Sequence, residues 1–124
     1  MDKNHSSFTV LVVDDDADVR AFLRSTLRNL FQCNVIESHS PEQAVLLYEK
    51  QHIDLVFLDI QMPGMDGLTL LQELRALHKN IKIVMISAHG TADNVKKAVS
   101  EGAVGFIVKP FNMQRIKAVV EKFI

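Results

Sequence analysis

Five short apolar runs alternate along this chain with longer amphipathic stretches, and no other feature restricts the available folds as much. The runs fall at residues 8–13, 35–36, 55–58, 81–86 and 105–108. Four are rich in Val, Ile, Leu or Phe with few polar interruptions, the pattern of strands in a parallel sheet whose two faces are both covered by helices. The second run is shorter and polar at its flanks, which predicts an edge strand. Between the runs, Val19, Phe22, Leu23, Leu27, Leu30 and Phe31 recur at helical spacing and so share one face. Leu70, Leu71, Leu74 and Leu77 repeat that pattern, as do Ile116, Val119, Val120 and Phe123; weaker helical stretches cover 44–50 and 95–100. Ser40 before Pro41, Asp66, Thr91 and Asn112 stand where helix N-caps belong, and Gly102 stands where a helix stops.

The order is therefore strand then helix, five times over, with no internal repeat or low-complexity linker. A length of 124 residues leaves room for one domain, placed at 8–124 behind a polar, flexible segment at 1–7. Right-handed crossovers make this α/β sheet parallel, with helices on both faces. Two strand orders satisfy the pattern, the flavodoxin-like 2-1-3-4-5 and half of a Rossmann sheet. The single Cys33 cannot pair within the chain and reads as a small apolar residue. No apolar stretch approaches the ~20 residues that span a membrane. The run at 8–13 is too short for a secretory signal and leads straight into three aspartates, so the expected compartment is the cytoplasm. A net charge of −1 gives no reason to expect nucleic-acid binding.

Ligands of open α/β sheets bind beyond the carboxyl ends of the strands, so the residues that follow each run matter most. The first run ends in Asp14, Asp15 and Asp16, the third in Asp59, the fourth in Ser87, and the fifth in Lys109 followed by Pro110. Two carboxylates ~4 Å apart repel by ~4 kcal/mol at an effective dielectric of 20. A pocket that gathers three of them either keeps a proton or binds a cation, and hard oxygen ligands open to water suit Mg²⁺. Lys109 can neutralise a phosphoryl group, Ser87 can hydrogen-bond one of its oxygens, and an Asp carboxylate can serve as the nucleophile. Each residue alone has an ordinary explanation: an Asp run or a Ser caps a helix, and a Lys is a solvated charge. Together they are harder to dismiss, because all lie at the same end of the strands. Asp18 and Asp66 read as helix-start residues. His5, His39, His52, His78 and His89 show no metal-ligand spacing.

Four motifs carry a family resemblance: VLVVDDD at 10–16, LDIQMPGMDG at 58–67, MISA at 85–88 and FIVKPF at 106–111. In this order they resemble the receiver domain of response regulators, the CheY-like module of two-component signalling, across nearly the whole chain. The resemblance implies a (βα)5 flavodoxin-like fold of order 2-1-3-4-5. It makes Asp59 the phosphoacceptor for a phosphohistidine on a sensor histidine kinase or histidine phosphotransfer protein. It implies Mg²⁺ held by Asp15 directly, by Asp14 partly through water, by Asp59 and by the backbone carbonyl of Gln61. Ser87 matches the switch hydroxyl, Phe106 the switch aromatic, and Lys109 the cation that pairs with Asp59 or its phosphate, with a cis bond to Pro110. Gln61 and His89 occupy the positions that tune dephosphorylation. Asp16 has no family role, and Gly64 and Gly67 fit the turn after the acceptor.

Two positions depart from the commonest pattern. Ser87 stands where Thr is common and keeps the hydroxyl; Phe106 stands where Tyr is common and lacks the phenol. The implied output is a change in the surface of the fourth helix, fifth strand and fifth helix, roughly 91–123, where Lys96, Lys97, Glu101, Arg115 and Lys117 could select a downstream effector. The implied state is a monomer or a phosphorylation-dependent dimer, with no membrane or direct nucleic-acid contact. The chain would assist its own phosphorylation and dephosphorylation without turning over a separate substrate. Two other classes stay open: a Mg²⁺-dependent phosphatase of the haloacid-dehalogenase type, built on Asp14 and Asp16, which leaves Asp59 unexplained, and a pseudo-receiver that uses no phosphate.

Overall fold

The computed structural model describes residues 5–62 and 64–124, and residues 1–4 of the expected N-terminal segment lie outside it. Five parallel strands form one sheet: β1 Thr9–Val13, β2 Asn34–Ser38, β3 Leu55–Asp59, β4 Ile83–Ser87 and β5 Gly105–Val108. They are ordered β2-β1-β3-β4-β5, which selects the flavodoxin-like alternative. Five helices connect and follow them: α1 Ala17–Phe31, α2 Pro41–Lys50, α3 Gly67–Leu77, α4 Ala92–Ser100 and α5 Met113–Val120. As expected, β2 lies at an edge.

The period of two in each strand divides the core between the two faces of the sheet. Leu11, Val13, Val56, Leu58, Ile83, Met85 and Phe106 pack with Ala44, Leu70, Leu71, Leu74 and Ala98, from α2, α3 and α4. Val10, Val12, Leu55, Phe57, Val84, Ile86 and Ile107 pack with Leu23, Leu27, Ile116, Val119 and Val120, from α1 and α5. Strands buried on both faces read as continuous apolar runs for this reason. Cys33 is buried, its thiol donates to the Leu27 carbonyl, and burial pushes the thiol pKa up, as befits an unreactive core residue.

The helix boundaries follow their caps. Ser40, Asp66, Thr91 and Asn112 each accept a backbone N–H of the helix they open. Asp16 caps α1 in the same way, accepting from the Asp18 N–H, which gives it a structural task. Gly102, at φ +99°, ends α4: its N–H donates to the Val99 carbonyl and the Ala103 N–H to the Ala98 carbonyl, the paired bonds of a Schellman motif.

Several expectations need adjustment. The fourth strand starts at Ile83, not at residue 81, and Ile81 is instead a buried residue of the preceding connection. Leu77, at the end of the apolar stripe of α3, is 58% exposed. Phe123 lies beyond the end of α5, where it still packs on the core. A two-residue antiparallel ladder, Gln61–Met62 with Met65–Asp66, joins β3 to α3, and the apolar pattern gives no sign of it. His5 donates its N–H to the Phe31 carbonyl. Among the described residues, no helix is long and apolar enough to cross a membrane.

Candidate functional site

Strand register alone brings the expected residues together. Val13 of β1 pairs with Leu58 of β3, so the next residues, Asp14 and Asp59, emerge side by side. Asp59 pairs with Ile86 of β4, one residue before Ser87, and Ser87 pairs with Val108 of β5, one residue before Lys109. Adjacent strands are ~4.8 Å apart, so only a long side chain reaches from β5 back to β1. Lys109 does: its Nζ lies 2.8 Å from Asp14 Oδ2 and 3.3 Å from Asp59 Oδ2. Its own N–H donates to the Ser87 carbonyl at 2.7 Å, and its bond to Pro110 is cis.

Asp14 is fully buried and Asp59 nearly so, whereas Asp15 is exposed. One carboxylate oxygen from each of the three lies within 4.8 Å of the others. Burial pushes the Asp59 carboxyl above its ordinary pKa; the Gln61 N–H and the Lys109 ammonium oppose that rise, and the Asp14 charge adds to it. Burial works against the Lys109 ammonium too, but the hydrogen bond and charge of Asp14, with Asp59 behind them, outweigh it and hold the group above its ordinary value. Three carboxylates thus face one ammonium. That excess of hard oxygen donors, one of them open to solvent, fits a divalent cation of the Mg²⁺ type.

The loops are fixed by their own backbones. Asp14 Oδ1 accepts from the Asp16 N–H, and Asp59 Oδ1 accepts from the Gln61 N–H. The Gly67 N–H donates to the Ile60 carbonyl at 2.6 Å, folding the ladder back over the strand end. A Cβ on Gly67 would sit 2.1 Å from the Asp59 carbonyl oxygen, so only glycine allows this approach. Ser87 is fully buried, and its hydroxyl accepts from the His89 N–H at 2.9 Å. Gln61 and His89 are exposed at the rim. Phe106 is 9% exposed and belongs to the core cluster, so its ring already points inward.

One further charged group lies at this edge, in no recognisable motif. Glu37, near the end of β2, holds Arg20 and Arg24 of α1, and Arg20 in turn donates to the Asp14 carbonyl. Glu37 directly follows the second apolar run, so the rule that ligands bind beyond the carboxyl ends of strands singles it out as well.

Comparison with known proteins agrees with this geometry. The family model of the response regulator receiver domain matches residues 10–121. The chemotaxis protein CheY of Bacillus subtilis is 40% identical over 114 residues, which cover 91% of this chain and 94% of that protein. The transcriptional regulatory protein MalR of the same organism is 38% identical over 116 residues, covering 92% of this chain but 49% of MalR. The crystal structure of a CheX–CheY–BeF3–Mg²⁺ complex from Borrelia burgdorferi superposes with a TM-score of 0.87 at 36% identity, covering 93% of this chain and 87% of that one.

The chain belongs to the response regulator receiver family of two-component signalling. Receiver domains bind Mg²⁺ through an acidic cluster, and Asp14, Asp15 and Asp59 form such a group here.

Proposed function

We propose that the chain accepts a phosphoryl group on Asp59 from a phosphohistidine of a sensor histidine kinase or histidine phosphotransfer protein. The observation that carries this is the bridge from Lys109 to both Asp14 and Asp59 across the strand ends. In the transfer, an Asp59 carboxylate oxygen forms the O–P bond while the P–N bond to the donor imidazole breaks. The imidazole leaves with the bonding pair and takes up a proton. Lys109, already at Asp59 Oδ2, is placed to follow the charge onto the phosphoryl oxygens. Mg²⁺, held by Asp14, Asp15 and Asp59 with the Gln61 carbonyl, would supply positive charge against the same oxygens when bound. Asp59 is so nearly buried that its neighbours, not bulk water, would set its reactivity. Phe22, 40% exposed, stacks on Phe111 beside Lys109 and Pro110 and offers the donor an apolar shelf at the rim.

The phosphoryl group adds charge and acceptor oxygens where Ser87 ends β4. The Ser87 hydroxyl would exchange its bond from the His89 N–H for one to a phosphoryl oxygen, drawing the β4–α4 loop inward. Phe106, already inward, would be retained there, and the α4–β5–α5 surface would shift in population. That surface exposes Val99, Val104, Val108 and Met113 beside Lys96, Lys97, Arg115 and Lys117, a mixture suited to an effector protein or a second copy.

The test is intact mass after incubation with a small-molecule phosphodonor, with and without Mg²⁺, on wild type and Asp59→Asn. One added phosphoryl group that requires both Mg²⁺ and Asp59 is expected. An active donor that leaves wild type unmodified would turn the reading toward a pseudo-receiver, and transfer from a purified phosphorylated kinase would then decide.

A further inference from the structure

Asp14 is held by its backbone as well as by its side chain. Its N–H donates to the Ser38 carbonyl of β2 at 3.1 Å, and its carbonyl accepts from the Arg20 guanidinium at 2.6 Å. The peptide unit is planar, so fixing the Asp14 carbonyl also fixes the Asp15 N–H and the position of the Asp15 Cα, the point from which its side chain departs. Arg20 is itself held, with its Nε 3.2 Å from Glu37 Oε1, while the other oxygen of Glu37 takes Arg24. The Arg20 side chain is only 16% exposed, against 42% for Arg24. A guanidinium can serve both partners at once because its donors form a rigid fork.

We propose that Arg20, braced by Glu37, is a positioning residue that sets the angle between Asp14 and Asp15 and so the affinity of this acidic pair for a divalent cation. This rests on reading Asp14, Asp15 and Asp59 as the Mg²⁺ site. Arg20 touches neither the cation nor the phosphoryl group. It acts through the Asp14 peptide, as outer-shell groups act through the ligands they orient. Among the described hydrogen bonds, the Arg24 side chain reaches Glu37 alone, so it shares the ion pair without the contact to Asp14.

The experiment is Mg²⁺ titration by calorimetry on wild type, Arg20→Met, Arg20→Lys and Arg24→Met, with thermal unfolding of each metal-free protein alongside. Loss of an outer-shell partner weakens metal binding about 10- to 100-fold. Arg20→Met is expected to fall in that range. Arg20→Lys, which keeps the charge but not the fork, is expected to weaken binding several-fold, and Arg24→Met to stay within about twofold. If Arg20→Met does not fold, Arg20→Lys decides. Wild-type affinity in Arg20→Lys, or equal losses in the Arg20→Met and Arg24→Met variants, would overturn the clamp while leaving the Mg²⁺ site intact. Absence of Mg²⁺ binding by wild type would overturn the site itself, and the clamp with it.

Discussion

Lys109 holds two buried carboxylates at once, so deleting its charge tests how the site is built. Lys109→Met keeps the aliphatic stem and removes the ammonium. At an effective dielectric of about 20, the pairs at 2.8 Å to Asp14 and 3.3 Å to Asp59 are each worth roughly 5–6 kcal/mol before desolvation is subtracted. The variant does not lose that sum, because two adjacent carboxylates share a proton in preference to staying ionised together. Taking up that proton at pH 7, on a carboxyl whose unfolded pKa is about 3.9, costs at most about 4 kcal/mol. With the wild-type attraction offset by the desolvation of the three charges, the expected loss in metal-free buffer is about 3–4 kcal/mol at pH 7, shrinking to about 1.5 kcal/mol or less at pH 5. The sign follows from linkage. A carboxyl whose folded-state pKa is raised contributes stability below its unfolded pKa and loses it as pH rises through the folded value. Burial already raises Asp59 in the wild type, and removing the ammonium raises it further. Mg²⁺ bound between the carboxylates is expected to restore about 2.7 kcal/mol at a hundredfold excess over its Kd. The variant is also expected to bind Mg²⁺ more tightly than wild type, since no ammonium competes for the carboxylates. Urea unfolding followed by far-UV circular dichroism, at both pH values and with and without Mg²⁺, gives the comparison at constant m. A loss below about 1 kcal/mol at pH 7, or one that grows on acidification, would refute this account of the charges.

Three further outcomes follow from the same geometry. Gly67→Ala puts a Cβ 2.1 Å from the Asp59 carbonyl oxygen and 2.6 Å from the Ile60 Cα; backbone must move, at about 1–3 kcal/mol. Because the displaced atoms carry Asp59, phosphoryl uptake measured by mass should slow as well, whereas Gly102→Ala, strained at φ +99° but remote from the site, should lower the melting temperature alone. Gln61 and His89 are exposed at the rim near the proposed acceptor, so Gln61→Ala and His89→Ala should change the lifetime of phosphorylated Asp59; decay rates identical to wild type in both variants would sink that role. Phe106→Ala opens a cavity in the core cluster, costing about 3–5 kcal/mol, and should uncouple phosphorylation from effector binding; full phosphorylation-dependent binding in a folded variant would make the ring a static core residue.

What the sequence disclosed and what it hid divide along the range of the interactions involved. Strand and helix type were legible because two-sided burial writes itself as apolar runs and one-sided burial as helical spacing, both within a window of a few residues. Caps were legible because Ser40, Asp66, Thr91 and Asn112 bond backbone two or three residues away. The ladder of Gln61–Met62 with Met65–Asp66 was not, since two-residue strands are too short to show a period. Nor could local pattern separate three consecutive aspartates. Asp14 is fully buried because it follows directly on a strand buried on both faces, Asp15 is exposed, and Asp16 is turned to capping α1. Which Asp takes which part is decided by register with β3 and by Lys109, ninety-five residues away in sequence.

The same distinction explains why Arg20 and Glu37 escaped notice. Arg20 sits among helical residues as an ordinary polar position, and Glu37 lies in the strand with the weakest apolar signal. Only the parallel pairing of β2 with β1, Val12 opposite Glu37 and Val13 opposite Ser38, sets that carboxylate level with the end of β1. From there it can hold a cation that α1 carries over the Asp14 peptide. An edge strand contributes little to a core, so a charged residue near its carboxyl end can be chosen for what it does to the neighbouring loop. On that reasoning β2 joins β1, β3, β4 and β5 among the elements that shape the proposed site, through Glu37, Arg20 and the Asp14 carbonyl.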